Sequence, residues 1–167
     1  MNNKIILIRH GQSTANVDTK LYYGPDENIV LTSKGEYQSK VLGRTLHQTF
    51  QSLMLNDEVT VIASGMVRAQ LTAKHALHRF KHVSIKHDHR ISECDWGDSA
   101  QVESSRSVLT RVKSLIDDHP TGSLILFTHC ELMRIVDPIS GAANNTEYRI
   151  YDRRRFQHVF MDRVLLK

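Results

Sequence analysis

The sequence predicts an α/β fold built from βα units around a mainly parallel sheet. Three observations predict it: short β-branched apolar runs alternate with longer amphipathic ones, turn residues punctuate the changes, and 40% hydrophobic with 24% charged residues is the composition of a packed globular chain. The first run, Lys4 to Ile8, reads as a strand. Ser33 to Met54 then reads as a helix, and Thr32-Ser33-Lys34-Gly35-Glu36 offers it a hydroxyl cap and an early acid. A strand over Glu58 to Ala63, a helix over Met66 to Arg79 and a strand over Val83 to Lys86 continue the alternation. Val102 to Asp118 forms the next helix, and His119-Pro120-Thr121-Gly122 stops it. Leu124 to Phe127 is the last parallel strand, followed by a helix over Glu131 to Asp137. After Asn144-Asn145 the pattern turns β-prone, with Tyr148, Ile150, Phe156, Val159 and Phe160 flanking Asp152-Arg153-Arg154-Arg155, and predicts a terminal hairpin.

No repeat, low-complexity tract or linker interrupts this order, so residues 1–167 read as a single domain, long enough to bury a core without disulfides or a structural metal. The formal net charge of +4 favours an anionic partner. The apolar run from Ile5 to Ile8 is too short for a signal-peptide core or a membrane span, and the protein is expected in the cytoplasm. Cys94 and Cys130 are expected to be free thiols.

In open α/β sheets ligands bind beyond the carboxyl ends of the strands. Three predicted strands end in notable residues: the first in Arg9-His10-Gly11, the second in Ser64-Gly65-Met66-Val67-Arg68, another in Thr128-His129-Cys130. If these strands are parallel, two arginines and two histidines gather on one sheet edge. Such a set suits phosphoryl transfer, because a neutral imidazole can attack phosphorus while fixed cations hold the non-bridging oxygens. Arg9 and Arg68 disfavour a proton on His10 by like-charge repulsion. Glu93, in the loop Ile91 to Gly97, is the best-placed proton donor for a departing oxygen, with Asp95 and Asp98 as the next candidates.

These residues resemble the histidine phosphatase superfamily, which includes the cofactor-dependent phosphoglycerate mutases. The resemblance runs in order through Leu7 to Asn16, Leu31 to Gln38, Ser64 to Ala69, Glu93 to Gly97, and Thr128-His129. It implies a three-layer α/β/α sandwich, with His10 as the phosphorylated nucleophile, Glu93 as the acid, Arg9, Arg68 and His129 in the phosphate pocket and Asn16 supporting it, His10, Glu93 and His129 being the catalytic set. It implies no metal and no other cofactor. The substrate it implies is a phosphorylated small molecule, a nucleotide or a phosphoprotein. Gly65 stands where the family usually has Pro, and Cys130 where Gly commonly follows the second His. Only 36 positions lead from Glu93 to His129, a stretch in which the family's mutases carry a long insertion covering the site.

That brevity favours hydrolysis of phosphate monoesters over a mutase reaction, since a mutase must keep its phosphohistidine from water. A protein phosphohistidine phosphatase and a non-catalytic phosphate-binding protein of the same fold are the alternatives; retention of His10, Glu93 and His129 together speaks against the latter. The cysteine phosphatase signature fails here, because Arg134 stands four positions after Cys130 instead of six and within a predicted helix. His75, His78, His82, His87 and His89 lack nearby cysteines or a carboxylate at ligand spacing apart from Asp88, and read as a solvated, weakly basic helix and its exit. Arg153-Arg154-Arg155 reads as a charged turn, with no nucleic-acid-binding signature beside it.

Overall fold

A computed structural model describes residues 3–56, 59–80, 82–94 and 103–156 of the chain, and the side chains of all of these except 49–56. Strands β1 (Lys4–Arg9), β2 (Val59–Ser64), β3 (Ile85–Asp88), β4 (Ser123–Thr128) and β5 (Tyr148–Asp152) form one sheet in the order β3-β2-β4-β1-β5. The first four are mutually parallel, and β5 adds antiparallel to β1. The helices are α1 (Thr14–Val17), α2 (Ser33–Asn56), α3 (Val67–Leu77), α4 (Ser105–Asp117) and α5 (Cys130–Val136). Short 3-10 turns at Thr19–Tyr23, Asp26–Asn28 and His89–Ile91 fill the connections.

Alternation along the strands explains the layers. In β1, Ile5 and Leu7 join Leu124 and Leu126 of β4 against Val108, Leu109, Val112, Leu115 and Ile116 of α4 and Leu132, Met133 and Val136 of α5. Ile6 and Ile8 join Val61, Ala63, Ile125 and Phe127 on the opposite face, against Leu42 and Leu46 of α2 and Ala73, Ala76 and Leu77 of α3. The result is three layers, α2 and α3 on one side of the sheet and α4 and α5 on the other. A sheet covered on both faces calls for apolar side chains on both faces of its central strands, and all six residues of β4 are buried, with Leu124 to Phe127 forming a continuous apolar run.

Most expected elements are present with boundaries shifted by one to three residues. Thr32 Oγ1 accepts from the Gly35 amide at 3.1 Å, the expected cap of α2. Strand β3 begins at Ile85 instead of Val83, because the Val83 amide is taken by the Phe80 carbonyl in the turn that leaves α3. The expected beginnings of β2 and α4, Glu58 and Val102, lie outside the described residues; α4 is capped by Ser104, whose hydroxyl accepts from the Ser107 amide at 3.2 Å.

The expected terminal hairpin requires correction. Its first arm exists as β5, but the segment taken for its turn leaves the strand into a helical turn over residues 153–156, and the expected return arm, with Val159 and Phe160, lies outside the described residues. Arg153 is also no surface charge. It is 3% exposed, and its guanidinium donates to the Gly122 carbonyl at 2.9 and 3.1 Å and to the His119 carbonyl at 2.7 Å, locking the stop signal before β4. Arg154 and Arg155 remain exposed.

Helices α2 and α3 approach so closely at Gly43 that a Cβ there would stand 2.3 Å from the Ala76 carbonyl oxygen. Replacing a mid-helix Gly with Ala ordinarily stabilises by about 1 kcal/mol. Here overpacking against rigid backbone, at about 1–3 kcal/mol, outweighs that gain. Gly43→Ala is therefore expected to lower the melting temperature in a thermal denaturation scan; a rise would show that the two helices separate freely.

Candidate active site

Parallel pairing of β1, β2 and β4 brings their carboxyl ends together, and the residues expected at a site follow those ends. Arg9 ends β1 opposite Thr128, and the His10 amide donates to the Thr128 carbonyl at 3.0 Å. His10 and His129 thereby leave neighbouring strands side by side, their ring centroids 5.2 Å apart and their planes tilted by 60°. Both rings are buried, at 2% and 0% exposure, as is Arg68 at 2%.

His10 Nδ1 lies 2.7 Å from the Gly11 carbonyl, an oxygen that can only accept, so the ring proton sits on Nδ1 and Nε2 keeps its lone pair. Burial is the main reason His10 resists protonation, with Arg68 and then Arg9 adding to it against the opposing Gly11 hydrogen bond; together they bring it from 6.5 down to about 3. His129 is likewise held well below its ordinary value, first by burial and then by His10, Arg68, Arg111 and Arg9. Its Nε2 is hydrogen-bonded to Ser64 Oγ at 2.9 Å, while Nδ1 is buried without a partner among the described residues.

The two arginines are similarly half-committed. Arg9 Nη1 donates to the Ala143 carbonyl at 2.6 Å, and Arg68 Nη1 donates to Asp26; the buried Nε of each lacks a partner among the described residues. Glu93 accepts from the amides of Cys94 at 3.2 Å, Leu132 at 3.1 Å and Glu131 at 3.4 Å, which seats its carboxyl against the first turn of α5. Burial raises its pKa, opposed by those three amides and by Arg68. Asn16, like Glu93, makes three hydrogen bonds. Its Oδ1 accepts from the Ser13 amide at 3.0 Å and from Asn145 Nδ2 at 3.2 Å, and its Nδ2 donates to the Tyr22 hydroxyl at 3.0 Å, so it reaches His10 through Asn145. Asp95 and Asp98 lie outside the described residues.

Several site neighbours carried no signal in the sequence reading. Asn145 Nδ2 donates to the His10 carbonyl at 3.2 Å, and the Thr146 amide reaches the same oxygen at 3.3 Å. Thr146 does so with φ of 59°, a left-handed conformation that costs a β-branched residue about 1–3 kcal/mol. Thr72 Oγ1 accepts from the Gly11 amide at 2.9 Å while donating to the Arg68 carbonyl at 2.7 Å, tying the His10 loop to α3. Glycine is required where that loop meets α2. A Cβ on Gly11 would lie 2.6 Å from the Gly35 carbonyl oxygen, and one on Gly35 only 2.0 Å from the Gln12 carbonyl oxygen. Gly65, in the place of the family's usual Pro, leaves room for the His89 ring, 2.4 Å from where its Cβ would be. Cys130 sits in ordinary helical backbone and directs Sγ toward the Ala143 carbonyl at 3.4 Å, so a side chain is accommodated where Gly is common.

Among the described residues, no three His, Cys, Asp or Glu side chains converge to hold a metal ion, and no helix is long and apolar enough to cross a membrane.

Residues 5–108 match the profile of the histidine phosphatase superfamily (branch 1). The chain is 32% identical over 110 residues to phosphoglycerate mutase-like protein AT74 of Arabidopsis thaliana; the match takes in 62% of this chain but only 35% of that relative, about a third of its length. Among solved structures, YhfR of Bacillus stearothermophilus superposes with a TM-score of 0.71 at 19% identity, covering 89% of this chain and 90% of that one. A mycobacterial glucosyl-3-phosphoglycerate phosphatase superposes with a TM-score of 0.69 at 17% identity, covering 89% and 92%. At these identities the two structures are likenesses of fold.

The buried neutral imidazoles carry a pH dependence. An unfolded His10 binds a proton near 6.5, whereas the folded one stays neutral down to about 3. Between those values the unfolded chain binds more protons, so stability falls as pH falls, by up to about 1.4 kcal/mol per pH unit for each such group. Glu93, shifted upward, contributes the opposite slope above its ordinary value of 4.5. Urea denaturation between pH 7 and 5 is expected to show stability decreasing with acidification, less steeply in His10→Gln. Equal slopes would mean that His10 takes up its proton at the same pH in the folded protein as in the unfolded chain.

Proposed function

Because this chain belongs to the histidine phosphatase superfamily, we propose that it is a metal-independent phosphatase that hydrolyses phosphate monoesters through a phosphohistidine on His10. The observation that best supports this reading is the pairing of two buried, uncharged imidazoles with two arginines whose Nε donors have no partner among the described residues. Buried donors without acceptors are costly, and phosphoryl oxygens are the acceptors that fit them.

In the first step His10 Nε2 attacks phosphorus, forming the N–P bond as the ester P–O bond breaks. Arg9 and Arg68 hold the non-bridging oxygens. The single hydroxyl hydrogen of Ser64 is shared between Ser92 Oγ at 3.2 Å and His129 Nε2 at 2.9 Å; when it turns to Nε2, the ring proton of His129 sits on Nδ1 and can be donated to the same group. Glu93, whose carboxyl burial shifts toward the neutral form, gives its proton to the departing oxygen. In the second step water attacks the phosphohistidine, Glu93 takes a proton from that water, and His10 leaves as the neutral imidazole. Asn16 acts from behind, bracing the His10 loop through Asn145.

Hydrolysis is preferred to a mutase reaction because most of the 36 positions from Glu93 to His129 are already spent: α4 and β4 both belong to the sandwich. The positions left over are fewer than those two elements occupy, a short stretch from which to build a lid over a phosphohistidine. Phosphate esters are preferred to phosphohistidine proteins because a buried acid beside the leaving group matters most when an alkoxide departs.

His10→Ala is expected to abolish hydrolysis of p-nitrophenyl phosphate while the far-ultraviolet circular dichroism stays unchanged, and wild-type protein quenched in alkaline detergent should carry a base-stable phosphoryl group that acid treatment removes. Activity within a few fold of wild type would sink the covalent mechanism. The role given to Glu93 predicts a dependence on the leaving group. Glu93→Gln should slow the phosphorylation step with alkyl phosphates by about a hundredfold or more. With aryl esters, whose leaving groups need the proton less, the burst should change far less. Equal losses in that first step would remove Glu93 from the acid's role.

A further inference from the structure

The guanidinium of Arg68 is divided among unlike neighbours. Its side chain is 3% exposed, and it cannot turn to water for solvation. Nη1 forms an ion pair with Asp26, Nη2 donates to Met66 Sδ at 3.0 Å, and the Tyr22 ring centroid lies 5.9 Å from its central carbon. Met66 and Tyr22 supply no charge, so among these neighbours Asp26 alone compensates the cation. Asp26 comes from elsewhere in the chain, 42 positions away, as the first residue of the 3-10 turn Asp26–Asn28. Its side chain is 37% exposed and has water as an alternative partner.

This asymmetry has a direction. A buried arginine without a counter-charge is strongly destabilising, whereas a carboxylate at the surface leaves its partner at small cost. We infer that Asp26 is a built-in competitor for the phosphoryl group at Arg68: the carboxylate and the phosphoryl oxygens alternate on this guanidinium, and Asp26 sets how tightly substrate and released phosphate are held. The exchange keeps Arg68 paired throughout, with one anion replacing the other. A returning carboxylate also helps to expel inorganic phosphate, which otherwise lingers among two arginines and two histidines. The inference rests on the reading of Arg68 as a ligand of the phosphoryl oxygens.

Calorimetric titration of the full-length protein with inorganic phosphate tests both ideas separately. Asp26→Asn, which keeps the shape and removes the charge, is expected to bind phosphate about tenfold or more tightly than wild type, the scale of one charge-assisted hydrogen bond. Asp26→Ser should move the same way, and Asp26→Glu, which restores the carboxylate, should return close to wild type. In turnover, Asp26→Asn should lower KM and strengthen product inhibition by phosphate. Wild-type binding that the neutral variants leave unchanged or weaken would overturn the competitor role alone. No phosphate binding by any of the four proteins would overturn the phosphate pocket and this inference with it.

Discussion

The parallel register of β1 against β4 is the constraint on which the rest of the site depends. Arg9 stands opposite Thr128, and the hydrogen bond from the His10 amide to the Thr128 carbonyl extends that pairing one residue past the strand end. Two histidines that are 119 positions apart in the chain therefore emerge next to each other. Strand β2 pairs with the other edge of β4 and delivers Ser64 to His129 and, through the start of α3, Arg68 to the same edge. The geometry of the site is thus a property of three central strands. Their registers are held by the apolar layers on both faces, because a slip of one residue would exchange those layers.

Bringing so many polar groups under cover has a cost, and the surrounding contacts show how it is limited. The imidazoles are uncharged, so burial penalises a dipole instead of an ion. The backbone of the His10 loop is held by Thr72 on one side and by Asn145 and Thr146 on the other, and the Thr146 contact is made at the expense of a left-handed β-branched residue. Strain at that position and rigid support around His10 are two aspects of one arrangement: the loop after Ala143 also holds Arg9 through the Ala143 carbonyl and the Arg9 amide through Glu147. Mobility in that loop would reach both the nucleophile candidate and one of its flanking cations.

Much of this was legible in the sequence. Strand ends are places where chemistry collects in α/β folds, so Arg9, His10, Arg68 and His129 stood out by position. Glu93 stood out by its motif. What stayed hidden entered from far along the chain through contacts that have no periodicity. Asn145 acts on His10 across 135 positions and Thr72 on Gly11 across 61. Asp26 lies in Gly24-Pro25-Asp26, which reads as an ordinary turn, and its pairing with Arg68 exists only once α3 is docked. Arg153 was misread for a related reason. A run of three arginines after a strand looks like a solvated turn, and nothing in the local pattern reveals that the first of them finds three hydrogen bonds on the carbonyls of Gly122 and His119. Local signals report a residue's own element; they carry no information about which distant carbonyl will satisfy its side chain.

The contact between Gly11 and Gly35 has a consequence for how such chains can diverge. Each glycine leaves space that the other's neighbourhood fills with backbone, the Gly35 carbonyl against the first and the Gln12 carbonyl against the second. Because backbone cannot be trimmed by a compensating substitution, neither position can be rescued by changing the other. Drift at the two sites is closed both singly and in combination, unlike a pair of packed side chains, which can trade volume. A descendant that keeps this loop against this helix must keep two glycines 24 positions apart, whatever becomes of its substrate, and that spacing would outlast the chemistry as a mark of common ancestry.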